Sequence, residues 1–219
     1  MSNCCDPRGC DRFFGKHFAR RVARRYRKHG LGKTEQAMVE FLESAGLAGA
    51  TVLEVGGGVG ELHIELLKRG AEGAVNLELS PAYDEEARRL LVDTALTDRV
   101  ERRLHDIAVD PDAVEPADVI VLNRVVCCYP DYERLLGAAA THARRALVFS
   151  YPRRNALSRA IVGVQNAGFR LMRREFRVFT HPPEAMVGVL RSQGLTPRFA
   201  GGGLVWRVAG LGRTSTAAG

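Results

Sequence analysis

Short apolar runs alternate with amphipathic stretches through the middle of the chain. The apolar runs predict five strands, at residues 50–55, 74–79, 100–104, 119–122 and 146–150. The stretches between them predict helices at 61–69, 82–91 and 132–143. Strands that are apolar on both faces are typical of parallel sheets covered by helices on both sides. The pattern therefore predicts an α/β fold with a mostly parallel sheet.

Two helices are predicted before this alternation. The first, at 11–29, places Phe14, Phe18, Val22 and Tyr26 on one face and arginines on the others. The second covers 34–44. We expect residues 1–45 to form a cysteine-containing leader with a basic helical lid, residues 46–211 to form the main domain, and residues 212–219 to form a disordered tail.

The order of elements changes after Pro152. Helices are predicted at 156–172 and 183–193, followed by two short strands at 197–200 and 204–209. The glycines at 201–203 permit the positive φ angles of a tight reversal. These last strands therefore predict a terminal antiparallel hairpin.

Composition limits the class of protein. The 219 residues are 46% hydrophobic, which suits one sizeable core. No apolar run approaches the roughly 18 residues of a membrane helix, and the Cys-rich start lacks an apolar signal core. The five cysteines are an odd number, which argues against a disulfide scaffold. We therefore expect a cytoplasmic protein without a membrane partner, monomeric or homodimeric.

The net charge of +7 is concentrated in two arginine-rich regions, near residues 12–33 and 153–177. If both flank the site, they favour an acidic substrate. An RNA-binding or RNA-methylating protein is the alternative, although the basic runs lack interleaved exposed aromatics, which makes a nucleic-acid partner less favoured.

The strongest chemical signal is the segment 52–60, in which Glu54 precedes alternating glycines at Gly56, Gly58 and Gly60. Gly56 and Gly58 would let the backbone approach a ligand, and Gly60 would let the following helix pack close to the strand. Dinucleotide sites use similar turns, so a nicotinamide-dependent oxidoreductase is a further alternative. A phosphate-binding P-loop is excluded because no Lys-Ser or Lys-Thr follows.

Two acidic residues follow the next strands. Glu78, with Leu79 after it, ends the second strand, where a carboxylate can accept both hydroxyls of a ribose. Asp106 follows the third strand, where it could hydrogen-bond an adenine amino group while Ile107 packs on the ring. Glu78 could instead face solvent, and Asp106 could instead cap a turn.

Together these motifs resemble those of class I S-adenosylmethionine-dependent methyltransferases. The matching segments are 54–60, 76–79, 105–107 and 118–123. The resemblance implies a Rossmann-like seven-stranded sheet ending in an antiparallel hairpin, with S-adenosylmethionine as the cofactor. It assigns cofactor binding to Glu54, Gly56, Gly58, Gly60, Glu78, Leu79, Asp106, Ile107 and Asn123.

Within that family, the chain resembles the magnesium-protoporphyrin methyltransferase type at residues 13–26, 88–90 and 126–130. It departs from that type at Cys128, which stands where such proteins carry a histidine before the Tyr-Pro pair. The porphyrin substrate is therefore not implied, and we expect transfer to a small-molecule acceptor with an acidic group.

Methyl transfer is an in-line displacement that needs alignment more than acid–base power. In this fold, the acceptor is expected beyond the fourth and fifth strands, close to Asn123 and Tyr129. Tyr129, His181 and His17 are the candidates for an orienting or proton-accepting residue. His63 is expected to be a surface histidine or one with satisfied hydrogen bonds.

The cysteines leave one question open. Cys127 and Cys128 follow the fourth strand, and Cys4, Cys5 and Cys10 lie in the leader. Converging thiolates could bind a soft metal or a metalloid. Adjacent cysteines seldom both bind one tetrahedral ion, however, so small buried thiols and no metal are the favoured interpretation.

Overall fold

The computed structural model describes residues 14–173 and 176–213, and one seven-stranded sheet forms the centre of the molecule. The strands are β1 (Thr51–Val55), β2 (Gly73–Glu78), β3 (Val100–Leu104), β4 (Ala117–Leu122), β5 (Ala143–Pro152), β6 (Leu195–Gly202) and β7 (Trp206–Arg213). Their order is β3-β2-β1-β4-β5-β7-β6. The first five are parallel, and β7 is antiparallel to both neighbours. The predicted fold class is confirmed.

Helices cover both faces of this sheet. They are α1 (Lys16–His29), α2 (Lys33–Ser44), α3 (Glu61–Lys68), α4 (Asp84–Asp93), α5 (Tyr132–His142), α6 (Ala156–Leu171) and α7 (Pro183–Ser192). Alternate strand residues feed two cores: Val119 and Val121 face α1–α4, whereas Ile120 and Leu122 face α5 and α7. These four side chains of the central strand β4 are all fully buried, because helices lie on both sides of the sheet.

Two features of the predicted C-terminal region need correction. β6 continues through Gly202 (φ +103°), so the reversal lies at 203–205 rather than at 201–203. β7 continues to Arg213, so residues 212 and 213 belong to the sheet and not to a disordered tail. β7 is longer than predicted because it pairs with β5, which is ten residues long. Gly212, near the end of β7, pairs with Ala146 of β5. The rest of the predicted tail lies outside the described residues.

The helix after β2 begins differently from the prediction. Ser80 accepts a hydrogen bond from Ala82 N–H, as expected of a cap, but residues Pro81–Tyr83 form a separate 3₁₀ turn before α4. This turn brings the Tyr83 ring beside Phe14 and Phe18 of the N-terminal segment. α1 thereby covers the carboxyl edge of the sheet. Within the described ranges, no helix is long and apolar enough to span a membrane.

Candidate functional site

A cleft of about 220 Å³ lies at the carboxyl ends of β1–β4, beneath α1. Because parallel strands end at the same edge, the residues that follow them meet there. The predicted site residues that line the cleft are Glu54, Gly56, Gly58, Glu78, Leu79, Asp106, Ile107, Asn123 and Tyr129. Phe14, Phe18 and Val22 contribute an apolar wall from the N-terminal segment.

The Gly-rich turn between β1 and α3 forms the floor of the cleft. Gly56, Gly58 and Gly60 have φ angles of +67°, +56° and +89°, which only glycine adopts without strain. A Cβ at Gly56 would lie 2.5 Å from a Val125 methyl carbon, and one at Gly58 would lie 3.4 Å from the Tyr83 ring. Gly60 differs because it does not line the cleft: a Cβ there would collide with the His63 ring behind the turn.

Behind the turn, Glu54 and His63 form a buried pair. His63 Nδ1 is 2.6 Å from Glu54 Oε2, and neither residue is more than 2% exposed. Asn76 of β2 also contacts the pair, with its amide nitrogen 3.1 Å from His63 Nδ1. Of the two expectations for His63, the surface position is wrong, because α3 packs this side of its helix against the sheet, whereas hydrogen bonding is present at Nδ1. His63 Nε2 has no hydrogen-bond partner among the described residues.

Glu78 is held rigidly at the end of β2. Its carboxylate accepts backbone N–H groups from Gly58 at 2.8 Å, Leu79 at 2.8 Å and Ser80 at 3.1 Å. Burial raises the pKa of Glu78, although these three donors act in the opposite direction. The carboxylate thus links the Gly-rich turn to the end of β2, which fixes the floor of the cleft relative to the wall that follows β2.

Asp106 and Ile107 follow β3 on the opposite wall. The Tyr129 hydroxyl donates to the Asp106 carboxylate at 3.1 and 3.3 Å, and Ala108 N–H donates to it at 3.0 Å. Ile107 is only 1% exposed and presents its side chain to the cleft. The Asp106 carboxylate, which accepts hydrogen bonds, therefore lies next to the apolar Ile107 side chain in the cleft.

A polar network joins β4 and β5 to the lid. Ser150 Oγ donates to Asn123 Oδ1 at 2.8 Å and accepts from Arg124 N–H at 2.8 Å. The Arg124 guanidinium pairs with Glu35 of α2 at 2.8 Å. Glu35 is 5% exposed and lines the cleft. The sequence analysis did not identify it, because an acidic residue in the first turn of a helix is usually exposed. Arg124 adopts φ +60°, a conformation rare for residues other than glycine.

Glu61, the first residue of α3, is a second cleft residue that the sequence analysis missed. Burial raises its pKa to about 7, and the negative charges of Glu54 and Glu35 act in the same direction. A carboxyl group with a pKa near neutrality can accept a proton and release it again under working conditions. The only feature of the sequence that indicated a place in the cleft for Glu61 was its position directly after Gly60.

Of the candidate proton acceptors, Tyr129 alone lines the cleft. His17 lies on the exposed side of α1. His181 contacts the backbone of the cleft loop instead: its Nε2 lies 2.9 Å from Tyr129 O, and its ring stacks on Phe179. Burial lowers the pKa of His181. The geometry does not support a direct catalytic role for either histidine.

The two described cysteines form a vicinal pair at the cleft. Their Sγ atoms are 3.5 Å apart, Cys127 is buried and Cys128 lines the cleft. The hydrogen bond with Cys128 lowers the pKa of the Cys127 thiol. Cys4, Cys5 and Cys10 lie outside the described residues. In the part of the chain that is described, no group of three or more potential ligands could hold a metal ion.

Three arginines of α1 have two different roles. Arg20 and Arg27 form ion pairs with Glu86 of α4 at 3.7 and 3.6 Å, so they attach the helix to the domain. Arg25 lines the cleft. Within residues 14–45 of the leader, Arg25 is therefore the arginine that lines the cleft.

A sheet of this order, closed by an antiparallel hairpin and with its cleft at the carboxyl edge, is the fold of the class I methyltransferases. A family model described as a methyltransferase domain matches residues 18–197. The chain belongs to this methyltransferase family, which confirms the class predicted from its motifs.

Similar proteins support that assignment. The ribosomal protein L11 methyltransferase of Escherichia coli (strain SMS-3-5 / SECEC) is 33% identical over 94 residues, which are 43% of this chain and 31% of that protein. The match thus spans about a third of this curated relative.

Two solved structures share the fold. Magnesium protoporphyrin IX methyltransferase from Synechocystis PCC 6803, with bound S-adenosylhomocysteine, has a TM-score of 0.71 at 19% identity, covering 92% of this chain and 96% of that one. An O-methyltransferase family protein from Burkholderia thailandensis has a TM-score of 0.69 at 21% identity, covering 91% and 59%.

Proposed function

We propose that this protein transfers a methyl group from S-adenosylmethionine to a small-molecule acceptor by in-line displacement. The observation that carries the proposal is the meeting of the Gly-rich turn with Glu78 and Asp106, the acids after β2 and β3, in one cleft. Such an arrangement suits a ligand with a ribose and an adenine ring. The bound S-adenosylhomocysteine of the Synechocystis enzyme supports the same assignment by analogy of fold.

The residues present fit this cofactor. The Glu78 carboxylate is oriented by three backbone donors and can accept further hydrogen bonds from ribose hydroxyls. Asp106 can accept from the adenine amino group, with Ile107 and Leu79 against the ring. The side-chain-free backbone at Gly56 and Gly58 leaves room for close approach of the ligand. Glu54 and Asn123 are proposed to hold the methionine end.

When bound, S-adenosylmethionine supplies an electrophilic methyl group, and the protein's task is to align the acceptor and exclude water. We assign the exclusion of water to the apolar wall of Phe14, Phe18 and Val22. Tyr129 is committed to Asp106, which favours a positioning role. Glu61, with its pKa of about 7, is the better candidate to take a proton from the acceptor.

The acceptor is proposed to be small and to carry an acidic group, with Arg25 as its contact. Arg25 lines the cleft without an ion pair among the described residues, whereas Arg124 is paired with Glu35. An Arg25→Gln variant should raise the KM for the true acceptor at least tenfold while changing kcat little, since a binding contact of this kind contributes equally to the ground state and the transition state. Unchanged KM would show that the acceptor does not use this guanidinium. The site of action is proposed to be the cytoplasm.

Calorimetric titration with S-adenosylhomocysteine tests the cofactor assignment. The wild-type protein should bind at micromolar strength, and Glu78→Gln should weaken binding at least tenfold, because the amide places a donor against backbone N–H groups. Gly58→Val should abolish binding. Glu101→Gln is the matched control, since Glu101 is exposed on β3 and pairs only with Arg103 in the described structure.

The outcomes separate the alternatives. Absence of S-adenosylhomocysteine binding by the folded wild-type protein refutes the proposal, and binding of a nicotinamide dinucleotide in its place would support an oxidoreductase. With binding established, a tritiated methyl donor and a library of carboxylate, phosphate and neutral acceptors would identify the acceptor.

A further inference from the structure

The proposed methyl transfer assigns no role to the two adjacent cysteines that follow β4. Cys127 and Cys128 lie in the 3₁₀ turn Val126–Cys128 and are both present as thiols. Their Sγ atoms are 3.5 Å apart. Cys127 is buried, whereas Cys128 lines the cleft, so a small molecule in the cleft can reach the pair from the side of Cys128.

One carbonyl group brings the two sulfurs to the same side of the chain. The Cys127 thiol donates to Arg124 C=O at 3.4 Å, and the Cys128 thiol donates to the same oxygen at 3.7 Å. Adjacent side chains of an extended strand point to opposite faces, so this convergence requires the turn that follows Arg124. The fold therefore holds the two thiols together before any ligand arrives.

The surroundings of the pair favour the reactive form of one thiol. The hydrogen bond with Cys128 lowers the pKa of Cys127; burial opposes this change, and the positive charge of Arg124 supports it. The thiolate is the form of cysteine that attacks electrophiles and binds soft atoms. The cleft therefore offers a ready nucleophile at Cys127 with a second sulfur beside it.

The geometry of the pair disfavours a disulfide and the common thiolate metal sites. Adjacent Cα atoms are about 3.8 Å apart, which is less than the separation of about 4.4 Å or more that disulfides usually need. A linear two-coordinate ion needs its sulfurs roughly 4.6 Å apart, which is twice a metal–thiolate bond of about 2.3 Å. A tetrahedral zinc site needs four ligands, and residues 14–173 and 176–213 contain no group of three.

We propose that Cys127 and Cys128 together bind a trivalent organic arsenical, a compound of the form R–As(OH)₂, at the edge of the cleft. Trivalent arsenic is soft and pyramidal, with bond angles of roughly 90–100°, so two sulfurs bonded to it at about 2.3 Å lie about 3.4 Å apart. The observed separation of 3.5 Å matches this value. The organic substituent occupies the third position, so two protein ligands are sufficient.

The binding reaction is a double exchange of ligands on arsenic. Each thiol replaces one hydroxyl group: two As–S bonds form, two As–O bonds break, and the two hydroxyl groups leave as water with the thiol protons. Arsenic remains trivalent, so no oxidant or reductant is consumed. The second As–S bond forms within the same turn, and such an intramolecular step adds a factor of about 10²–10⁴ to the affinity. The proposal is independent of methyl transfer, and its test needs no methyl donor.

Titration with phenylarsine oxide, which hydrates to a compound of this class, tests the site. The full chain with Cys4→Ser, Cys5→Ser and Cys10→Ser keeps only the two cysteines after β4. Its intact mass should show one bound phenylarsenic group, and both thiols should become unreactive toward dithiobis(nitrobenzoate). Tryptic digestion should place the adduct on the peptide 125–134. Ethanedithiol should release the adduct, whereas mercaptoethanol at the same thiol concentration should not, because it cannot form a chelate.

In the same background, Cys127→Ser and Cys128→Ser should each lower the affinity at least 100-fold, because only one As–S bond remains. Circular dichroism will verify that each variant is folded, and Cys128→Ala provides a second substitution at the less buried position. A synthetic peptide of residues 125–134 is the matched control: it should bind at least tenfold more weakly, since the fold no longer orders its thiols.

Three results would overturn the proposal. The first is the absence of an adduct on the folded chain, and the second is unchanged affinity in either serine variant. Equal affinity of the peptide and the folded chain would show that the turn does not build a site. Displacement of phenylarsine oxide by equimolar Zn²⁺ would likewise overturn it, in favour of a metal centre.

Discussion

Glu61 should make the stability of the protein depend on pH in a way that one substitution removes. Burial beside Glu54 and Glu35 raises the pKa of Glu61 from 4.5 to about 7. Between these two values the folded protein keeps a proton that the unfolded chain has lost. The contribution of Glu61 to the free energy of unfolding is therefore greatest below pH 4.5 and is lost as the pH rises through 7.

The size of the effect follows from the shift. One pKa unit corresponds to 1.36 kcal/mol, so a shift of this size gives about 3 kcal/mol for a fully buried group. Glu61 is half-buried, which screens its charge, and we expect about 1–3 kcal/mol. In Glu61→Gln the side chain is neutral at every pH. The stability of the wild type should therefore fall relative to this variant by that amount between pH 4.5 and 8.

Urea unfolding at half-unit steps from pH 4.5 to 8, followed by circular dichroism, measures the difference. Taking the difference between wild type and variant cancels the titration of the carboxylates that do not interact with Glu61. Glu40→Gln on α2 is the control for the loss of an exposed carboxylate. Parallel profiles for wild type and Glu61→Gln would refute the raised pKa, and with it the assignment of Glu61 as proton acceptor.

Three further substitutions test the site. Gly56→Ala should destabilise the fold by about 2 kcal/mol in urea unfolding, because φ is +67° and the new Cβ would meet a valine methyl at 2.5 Å; unchanged stability would contradict this geometry. His63→Leu should cost about 3 kcal/mol, since it leaves the Glu54 carboxylate buried without its 2.6 Å partner, and Glu54→Gln in the same background should recover part of the loss. Tyr129→Phe should weaken S-adenosylhomocysteine binding by up to about fivefold in calorimetry, because Asp106 loses the donor at 3.1 Å; unaltered affinity would separate this contact from the cofactor site.

The sequence predicted the central elements well because strand and helix periodicity are local properties. β3 has the predicted bounds, and the first residues of α3, α5, α6 and α7 agree with the prediction. The ends of β5 and β7 were missed because their extra residues are stabilised by pairing across the sheet. A hydrophobic pattern identifies the buried part of a strand, but the length of its ladder depends on the neighbouring strand.

The partners of the buried polar residues could not be recognised from the chain. His63 lies within the buried face that Leu62, Leu66 and Leu67 form on α3, so its burial follows from helical spacing, whereas its pairing with Glu54 depends on the packing of α3 against the sheet. Glu35 and Arg124 are 89 residues apart in sequence and meet only because α2 packs against the carboxyl edge of the sheet. Contacts of this kind depend on the packing of elements, which no local pattern encodes.

By itself, the sequence determined the class of fold and the methyltransferase family, because the Gly-rich turn and the acids after β2 and β3 follow strands whose order along the chain is regular. Only the tertiary structure decided which charges meet in the cleft. It placed Arg25 at the cleft and Arg20 and Arg27 beside Glu86, since the side of a helix that faces the domain depends on the neighbouring elements. It likewise decided that Ile161 and Val164 of α6 are exposed, because helical periodicity places them on one face while the hydrogen bonds of Asn166 set the direction of that face.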